Sequence, residues 1–437
     1  MTIQIIKRGL QYYRLYGWRK FSWAIHFKFR QGVKRIIRVL YILRDNMRSS
    51  HHYLEYQFFP ALDRVNKPQR PASDIFRVPF VAIIADLSLP QCRKYRVVQK
   101  MEALEHLNIQ AKFSHWEDIP RSMNILQMAT FVIFYRLEDS ALLDSYISEC
   151  TRLQIPTAYD IDDPIFSREI YSENKNLDYL NPQEKNHLLE STQRYLQALQ
   201  KFDITIVSTP RMALEVNKIS GKPALLWRNA VDHETAASVK QLQPGLEKKY
   251  RTSEKDIIIA YASGSRAHEA DFRVIQNILA NILQNFPNVK LLIIGHLDLP
   301  DSLVRFKSRI FETGFSDYSR YISTLANADI NIVPLVMDSF NDCKSGIRYM
   351  EAALLNVPTV AAAIGDFCNI IRNGENGFLA KDSDDWQQYL STLIRSSDLR
   401  KKIGLKASQD VSGTLGIHEI TNSLPATIKE MVHGRYR

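Results

Sequence analysis

Apolar positions in this chain come in blocks whose spacing switches between two periods. Val81-Ala82-Ile83-Ile84-Ala85 is an unbroken apolar run, the mark of a strand buried on both faces. The block that follows, over 95–107, sets Val97, Val98, Met101, Leu104 and Leu107 at helical spacing. Buried-strand runs recur at 129–135, 156–160, 204–208 and 223–227, with helical stretches at 140–153 and 182–200 between them. After a polar interval, strands are predicted at 256–262, 289–294, 329–334 and 359–363 and helices at 271–285, near 318–326, at 345–355 and beyond Asp384. Strand and helix alternating twice over predict an α/β chain of two parallel-sheet domains, with ligands in the cleft at the strands' carboxyl ends.

The boundaries follow from breaks in that pattern. Residues 78–235 form the N-terminal domain and 250–425 the C-terminal one, while 51–77, punctuated by Pro60, Pro68 and Pro71, reads as a linker. Residues 1–50 stand apart. They hold 12 of the chain's 57 Lys and Arg but one of its 47 acids, so the excess positive charge is an N-terminal property. Tyr12, Tyr13, Tyr16, Trp18, Phe21, Trp23, Phe27 and Phe29 are interleaved with it; Val33, Ile36, Ile37 and Leu40 share one helical stripe and Arg30, Lys34 and Arg38 another. A basic, aromatic, amphipathic helical segment suits an anionic membrane interface. A helix packed on a partner protein is the next reading, and a nucleic-acid arm the weakest, so no nucleic acid is expected as partner. Basic residues recur too often for a spanning helix, and no apolar core precedes a cleavage site as in a signal peptide.

Composition removes other classes. Apolar residues at 45% and charged ones at 24% are globular values. Neither G-x-G-x-x-G nor G-x-x-x-x-G-K occurs, which argues against dinucleotide dehydrogenases and P-loop enzymes. Cys92, Cys150, Cys343 and Cys368 show neither metal-ligand spacing nor disulfide density, which points to a reducing compartment.

The densest chemistry lies at 341–361. Lys344-Ser345 stands at or just before a helix start, and the helix is broken at Asn356 before Pro358. A helix N-terminus offers unpaired N–H groups and partial positive charge to a diphosphate; Lys344 and Ser345 add donors, and Glu351, about two turns on, is placed to accept both hydroxyls of a ribose. In the first half Asp160, Asp162 and Asp163 crowd the end of a predicted strand. Such carboxylates repel unless solvated, paired or used. One of them orienting or deprotonating an acceptor hydroxyl, a solvated cap, and a hard metal ion remain the alternatives. Cys92-Arg93-Lys94-Tyr95-Arg96 opens a helix with cations at its unfavourable end, which suggests an anion there, with Arg93, Tyr95 and Arg96 as the residues for an acceptor's phosphate or the donor's diphosphate.

From 341 to 361 the chain resembles the family-4 glycosyltransferases. The resemblance extends to Ala328–Leu335 upstream, and to Ala362-Ala363-Ile364-Gly365 and the Asn373-Gly374-Glu375-Asn376-Gly377 turn downstream. In the first half it rests on Tyr159-Asp160-Ile161-Asp162-Asp163 and Arg228-Asn229-Ala230-Val231-Asp232, and the Asn-x-x-Lys-Ser form is similar to a subgroup active in bacterial surface-polysaccharide assembly. The resemblance implies a GT-B fold of two Rossmann-like domains facing a cleft. It implies a nucleotide-sugar such as a UDP- or GDP-sugar as donor, a glycan or lipid-linked acceptor, no required cofactor or catalytic metal, and a cytoplasmic site on the inner membrane face. Gly264, Ser265 and Arg266 match the tight turn toward the diphosphate, beside Lys344 and Ser345, with Glu351 on the ribose. The family's second glutamate falls at Cys343, which leaves retention or inversion open and admits a catalytically silent GT-B subunit; an epimerase of the same fold is a further alternative.

Overall fold

The computed structural model describes residues 78–242, 250–264 and 268–434. The basic segment 1–50, the linker 51–77, Ser265 and Arg266 lie outside the described residues. Among the described residues, twelve strands form two six-stranded sheets with every pairing parallel. The first contains β1 (Phe80–Ala85), β2 (Gln110–His115), β3 (Phe131–Tyr135), β4 (Thr157–Asp160), β5 (Thr205–Val207) and β6 (Ala224–Leu226), in the order β2-β1-β3-β4-β5-β6. The second contains β7 (Ile257–Gly264), β8 (Val289–Gly295), β9 (Ile310–Thr313), β10 (Ile330–Val333), β11 (Thr359–Ala362) and β12 (Phe378–Ala380), in the order β12-β11-β10-β7-β8-β9. The two-domain α/β expectation is met. Strand order reverses at β1 and at β7, which places a crevice at the carboxyl end of each sheet.

Alternate β1 residues feed different cores, the reason the strand is apolar throughout. Val81 and Ile83 join a cluster that runs through Trp227 and Ala230 to Ile259, Leu291 and Ile332 of the second sheet. Phe80, Ala82 and Ile84 join a second cluster with Phe134, Tyr146 and Phe202.

The strands that pattern alone did not predict, β2, β9 and β12, are all sheet edges. An edge strand is only partly covered, so sequences such as Gln-Ala-Lys-Phe-Ser-His need no continuous apolar run. Two stretches to which the pattern assigned no element are helical. Thr209 caps a helix over Pro210–Ser220, its Oγ1 accepting from Met212 N–H at 3.2 Å, and Asp232 caps another over His233–Lys240. The helix predicted at 95–107 begins earlier and widens over Arg93–Val98 into a π-type turn before Gln99–His106. That turn leaves Lys94, Tyr95 and Arg96 all buried. Past Leu415 the chain returns to the first half: Val231 N–H donates to Leu415 O at 2.8 Å and Ile417 N–H to Val231 O at 3.0 Å. The helix Ile417–Asn422 then packs on Gln99–His106.

Candidate functional site

On the second sheet the chain leaves β10 and crosses the sheet's rim through the short helix Ser339–Asp342, then enters the helix Ile347–Leu354. Lys344 and Ser345 therefore precede the helix, with Gly346 at its N-cap and no side-chain cap. A Cβ on Gly346 would lie 2.1 Å from Ile370 Cδ1, so a larger residue fits this entry only if the Ile370 side chain moves. Gly346 N–H donates to Asp366, whose carboxylate also accepts from both terminal nitrogens of Arg228 at 2.8–3.0 Å. Burial raises the Asp366 carboxyl, and Arg228 offsets this only in part. A carboxylate–guanidinium pair thus stands at the helix start where a diphosphate was expected.

Beside it sits a cation that pattern did not single out. Arg348, in the first turn of that helix, carries a buried Nη1 without a hydrogen-bond partner. Its guanidinium lies near Tyr261 and His268. Burial, then Arg348, pushes the His268 imidazole down to about 4, against the pull of Asp271 3.0 Å away. Asp271 is fully buried; its Oδ1 accepts from Val336 N–H and Asn341 Nδ2 at 3.0 Å each, and its Oδ2 from Asn176 Nδ2 of the first half at 3.0 Å. One carboxylate therefore joins the rim segment to both halves. Gly264 pairs with Gly295 at the end of β7, next to Ser265 and Arg266, whose placement is not described.

The first sheet meets this rim with Asp162 and Asp163, just past β4. Arg136 follows β3 directly, at φ 54°, an uncommon backbone for a side chain of its size. Its Nη1 donates to Asp162 Oδ1 at 3.2 Å and to Asp163 Oδ2 at 3.1 Å, and Tyr135 Oη donates to Asp162 Oδ1 at 3.0 Å. Across the cleft Lys344 Nζ donates to Asp163 Oδ1 at 2.8 Å. The neighbours split as a result. Burial, then the Asp163 charge, raises the Asp162 carboxyl, whereas Lys344 and Arg136 outweigh burial and hold Asp163 well below the usual range. Adjacent carboxyls pushed in opposite directions are the arrangement that separates proton-holding from charge-bearing roles.

Other expected residues are elsewhere. Asp160 is fully buried below the cleft, its Oδ1 accepting from Arg96 Nη2 at 2.6 Å and Nε at 3.2 Å, and its Oδ2 paired with Lys100. Arg96, also fully buried, spends its remaining donors on Trp227 O and Asn229 Oδ1 at 2.8 and 2.9 Å. The expectation that Asp160 and Arg96 face a ligand is corrected: each charge is enclosed by the other. Burial and Arg96 push the Lys100 ammonium down to about 7, against Asp160. Tyr95 is buried and donates to Glu351 Oε1, and Tyr321 donates to Glu351 Oε2 at 2.8 Å. Glu351, which burial raises, has both oxygens engaged here rather than open to a ribose. Beside it is a cavity of about 10 Å³ lined by Tyr95, Tyr318 and Met350, space for one water at most. Arg93 is exposed, 5.5 Å above the Phe113 ring.

Further contacts close the cleft. Asn229 Nδ2 donates to Ser345 Oγ at 3.0 Å, Thr209 Oγ1 to Cys343 O at 3.0 Å, and Arg211 pairs with Asp342 at 3.2 Å. Cys343 is fully buried with Phe340 in the first half's apolar cluster, and burial pushes its thiol up to about 12. A carboxylate in that place would be desolvated beside Glu215, which accounts physically for the thiol. Arg136 and Arg348 were the residues missed; the signal for Arg136 was its place directly after an apolar strand run, and for Arg348 its spacing of four from Lys344 on a helix start.

Residues 257–396 match the family described as Glycosyl transferases group 1. A solved structure of Anabaena Alr3699/HepE in complex with UDP-glucose superposes with a TM-score of 0.54 over 80% of this chain and 99% of that one, at 14% identity. The chain has the GT-B fold. A sucrose-phosphate synthase from Thermosynechococcus elongatus is similar at a TM-score of 0.50 and 13% identity, covering 78% of this chain and 96% of that one. Among curated proteins, the D-inositol 3-phosphate glycosyltransferase of Nocardia farcinica (strain IFM 10152) is 26% identical over 163 residues, about a third of each chain. Among the described residues no helix is long and apolar enough to cross a membrane.

Proposed function

We propose that this chain is a glycosyltransferase that moves a sugar from a nucleotide diphosphate donor, held on the second sheet, to a glycan or lipid-linked acceptor on the first, in surface-polysaccharide assembly. The observation that carries the reading is the rim at 344–351. A helix start whose Gly346 N–H already holds a carboxylate, the Lys344 ammonium and the buried unpartnered Nη1 of Arg348 lie there, within the stretch that matches group 1. The neighbour's UDP-glucose complex supports a nucleotide-sugar as ligand.

In this reading the halves part to admit the donor. Its diphosphate takes Lys344, Arg348 and the Gly346 N–H in place of Asp163 and Asp366, and Tyr95 leaves Glu351 to the ribose. These donors stabilise the departing diphosphate as the sugar gains oxocarbenium character. Asp163, kept ionised by Arg136, is the candidate to orient or deprotonate the acceptor hydroxyl, with Asp162 beside it. Residues 1–50 would hold the protein at the anionic inner face of the membrane.

One observation favours a second reading, a catalytically silent subunit: Cys343 is buried where many family members carry a carboxylate. The test is a thermal-shift panel of UDP-, GDP-, CMP- and dTDP-sugars, followed by transfer of label from the stabilising donor to a membrane lipid extract. Stabilisation with transfer is the expected result. Stabilisation without transfer supports the silent subunit, and no stabilisation by any of the four removes the donor site.

A further inference from the structure

A second group of ligand-type side chains lies at the rim of the second sheet and has no part in the chemistry above. Glu269 opens the helix Glu269–Arg273 beyond β7, and His296 and Asp298 follow the end of β8, the strand paired with β7. One ligand atom from each of Glu269, His296 and Asp298 lies within 4.8 Å of the others. His296 Nε2 stands 3.8 Å from Asp298 Oδ1. Glu269 is 5% exposed; its Oε1 accepts from Asp298 N–H at 3.0 Å, and its Oε2 is buried with no hydrogen-bond partner. A buried carboxylate oxygen left without a donor is costly unless positive charge completes it.

We propose that Glu269, His296 and Asp298 form a site for a divalent transition-metal cation. Two carboxylates and an imidazole bring two negative charges and one neutral nitrogen, a mixed oxygen and nitrogen set that suits Mn²⁺ or Zn²⁺ better than the all-oxygen preference of Ca²⁺ or Mg²⁺. Ligands about 2.1 Å from such an ion are about 3 Å apart, so the three atoms need only a modest approach. The parts able to make it are the exposed ones. The side chains of His296 and Asp298 are 40% and 82% exposed and share one loop, while Glu269 is fixed in the wall. An ion here ties the start of the Glu269–Arg273 helix to the exit of β8. Asp271, on that helix, holds Val336 and Asn341 of the rim segment that leads to Lys344. The cation would be a positioning element for that segment, and the proposal stands apart from the identity of the donor.

The test uses the full chain, stripped with a chelator and dialysed. Mn²⁺ is titrated with the free ion read by electron paramagnetic resonance, and Zn²⁺ by calorimetry, with no sugar nucleotide present. The expected result is one saturable site per chain for at least one of the two ions and a higher Tm with that ion. Glu269→Gln and His296→Ala should each weaken binding about tenfold or more, while Asp384→Asn, an exposed acid elsewhere on the second half, leaves it unchanged. Because a change at buried Glu269 can impair folding, the partly exposed His296→Ala variant decides, with circular dichroism confirming its fold. Absence of saturable binding up to about 1 mM of either ion overturns the proposal. So does His296→Ala binding with the affinity and Tm increment of the unaltered protein.

Discussion

The two walls of the cleft place their charges differently. On the first, Asp160 ends β4 and is enclosed by Arg96 and Lys100, below any surface a ligand can reach. On the second, Lys344 and Arg348 stand at a helix start, one in a pair that spans the cleft and the other with a donor left over. The difference is one of origin. A helix N-terminus draws anions through its own backbone, and Lys344 and Arg348 add to that field on the second wall. A strand end has no such field, and the fate of Asp160 or Asp163 depends on which side chains other elements bring to it.

The comparison breaks most visibly if Asp160 and Asp163 respond alike to the same substitution. Asp160→Asn leaves two buried cations short of their counter-charge and should cost about 3–5 kcal/mol in urea unfolding. Asp163→Asn, whose pair with Lys344 keeps some exposure, should cost less, about 1–3 kcal/mol. Its effect should chiefly be on turnover, a loss of about 100-fold or more with donor affinity little changed. Equal stability losses would mean that enclosure by Arg96 and Lys100 does not set Asp160 apart from Asp163.

The second wall is sharpened by Arg348→Gln. If the spare Nη1 meets the diphosphate, nucleotide affinity measured by calorimetry should fall by about 1–3 kcal/mol while the urea midpoint stays within error. A fall in stability with unchanged affinity would make Arg348 a structural cation like Arg96.

The smallest effect concerns the base of the second sheet. Asp256 accepts from the N–H groups of Thr252 and Ser253 at 2.6 and 2.8 Å and pairs with Lys290 at 2.7 Å. Burial raises its carboxyl, but these partners prevail and hold it down at about 2, from an ordinary 3.8. The folded value is the lower one, so the stabilisation is fully present above pH 3.8 and is lost as pH falls toward 2. Asp256→Asn should remove about 1–2 kcal/mol at pH 7 and flatten the acid limb of a stability profile over that window. An unchanged limb would mean that other groups set the acid lability.

Much of the fold was legible because central parallel strands must be apolar on both faces, as Val81–Ala85 and Ile330–Val333 are. The edge strands β2, β9 and β12 were not, since half-covered strands tolerate Gln110, Lys112 and Glu312. At the site, the Lys344-Ser345 entry was legible because a helix start with a following stop has few sequence forms. Tyr95 and Arg96 were not, because the π-type turn at Arg93–Val98 changes which residues of the helix face inward.

The sequence by itself determined two parallel-sheet halves and a cationic helix entry on the second, because local periodicity and backbone termini answer to neighbouring residues. Only the tertiary structure decided which of Asp160, Asp162 and Asp163 reaches the cleft, that Glu351 is engaged by Tyr95 from the other half, and that Glu269, His296 and Asp298 meet. Those outcomes are set by partners as far as 256 residues away along the chain, as Tyr95 is from Glu351, and by how much water each charge retains once the two halves have packed.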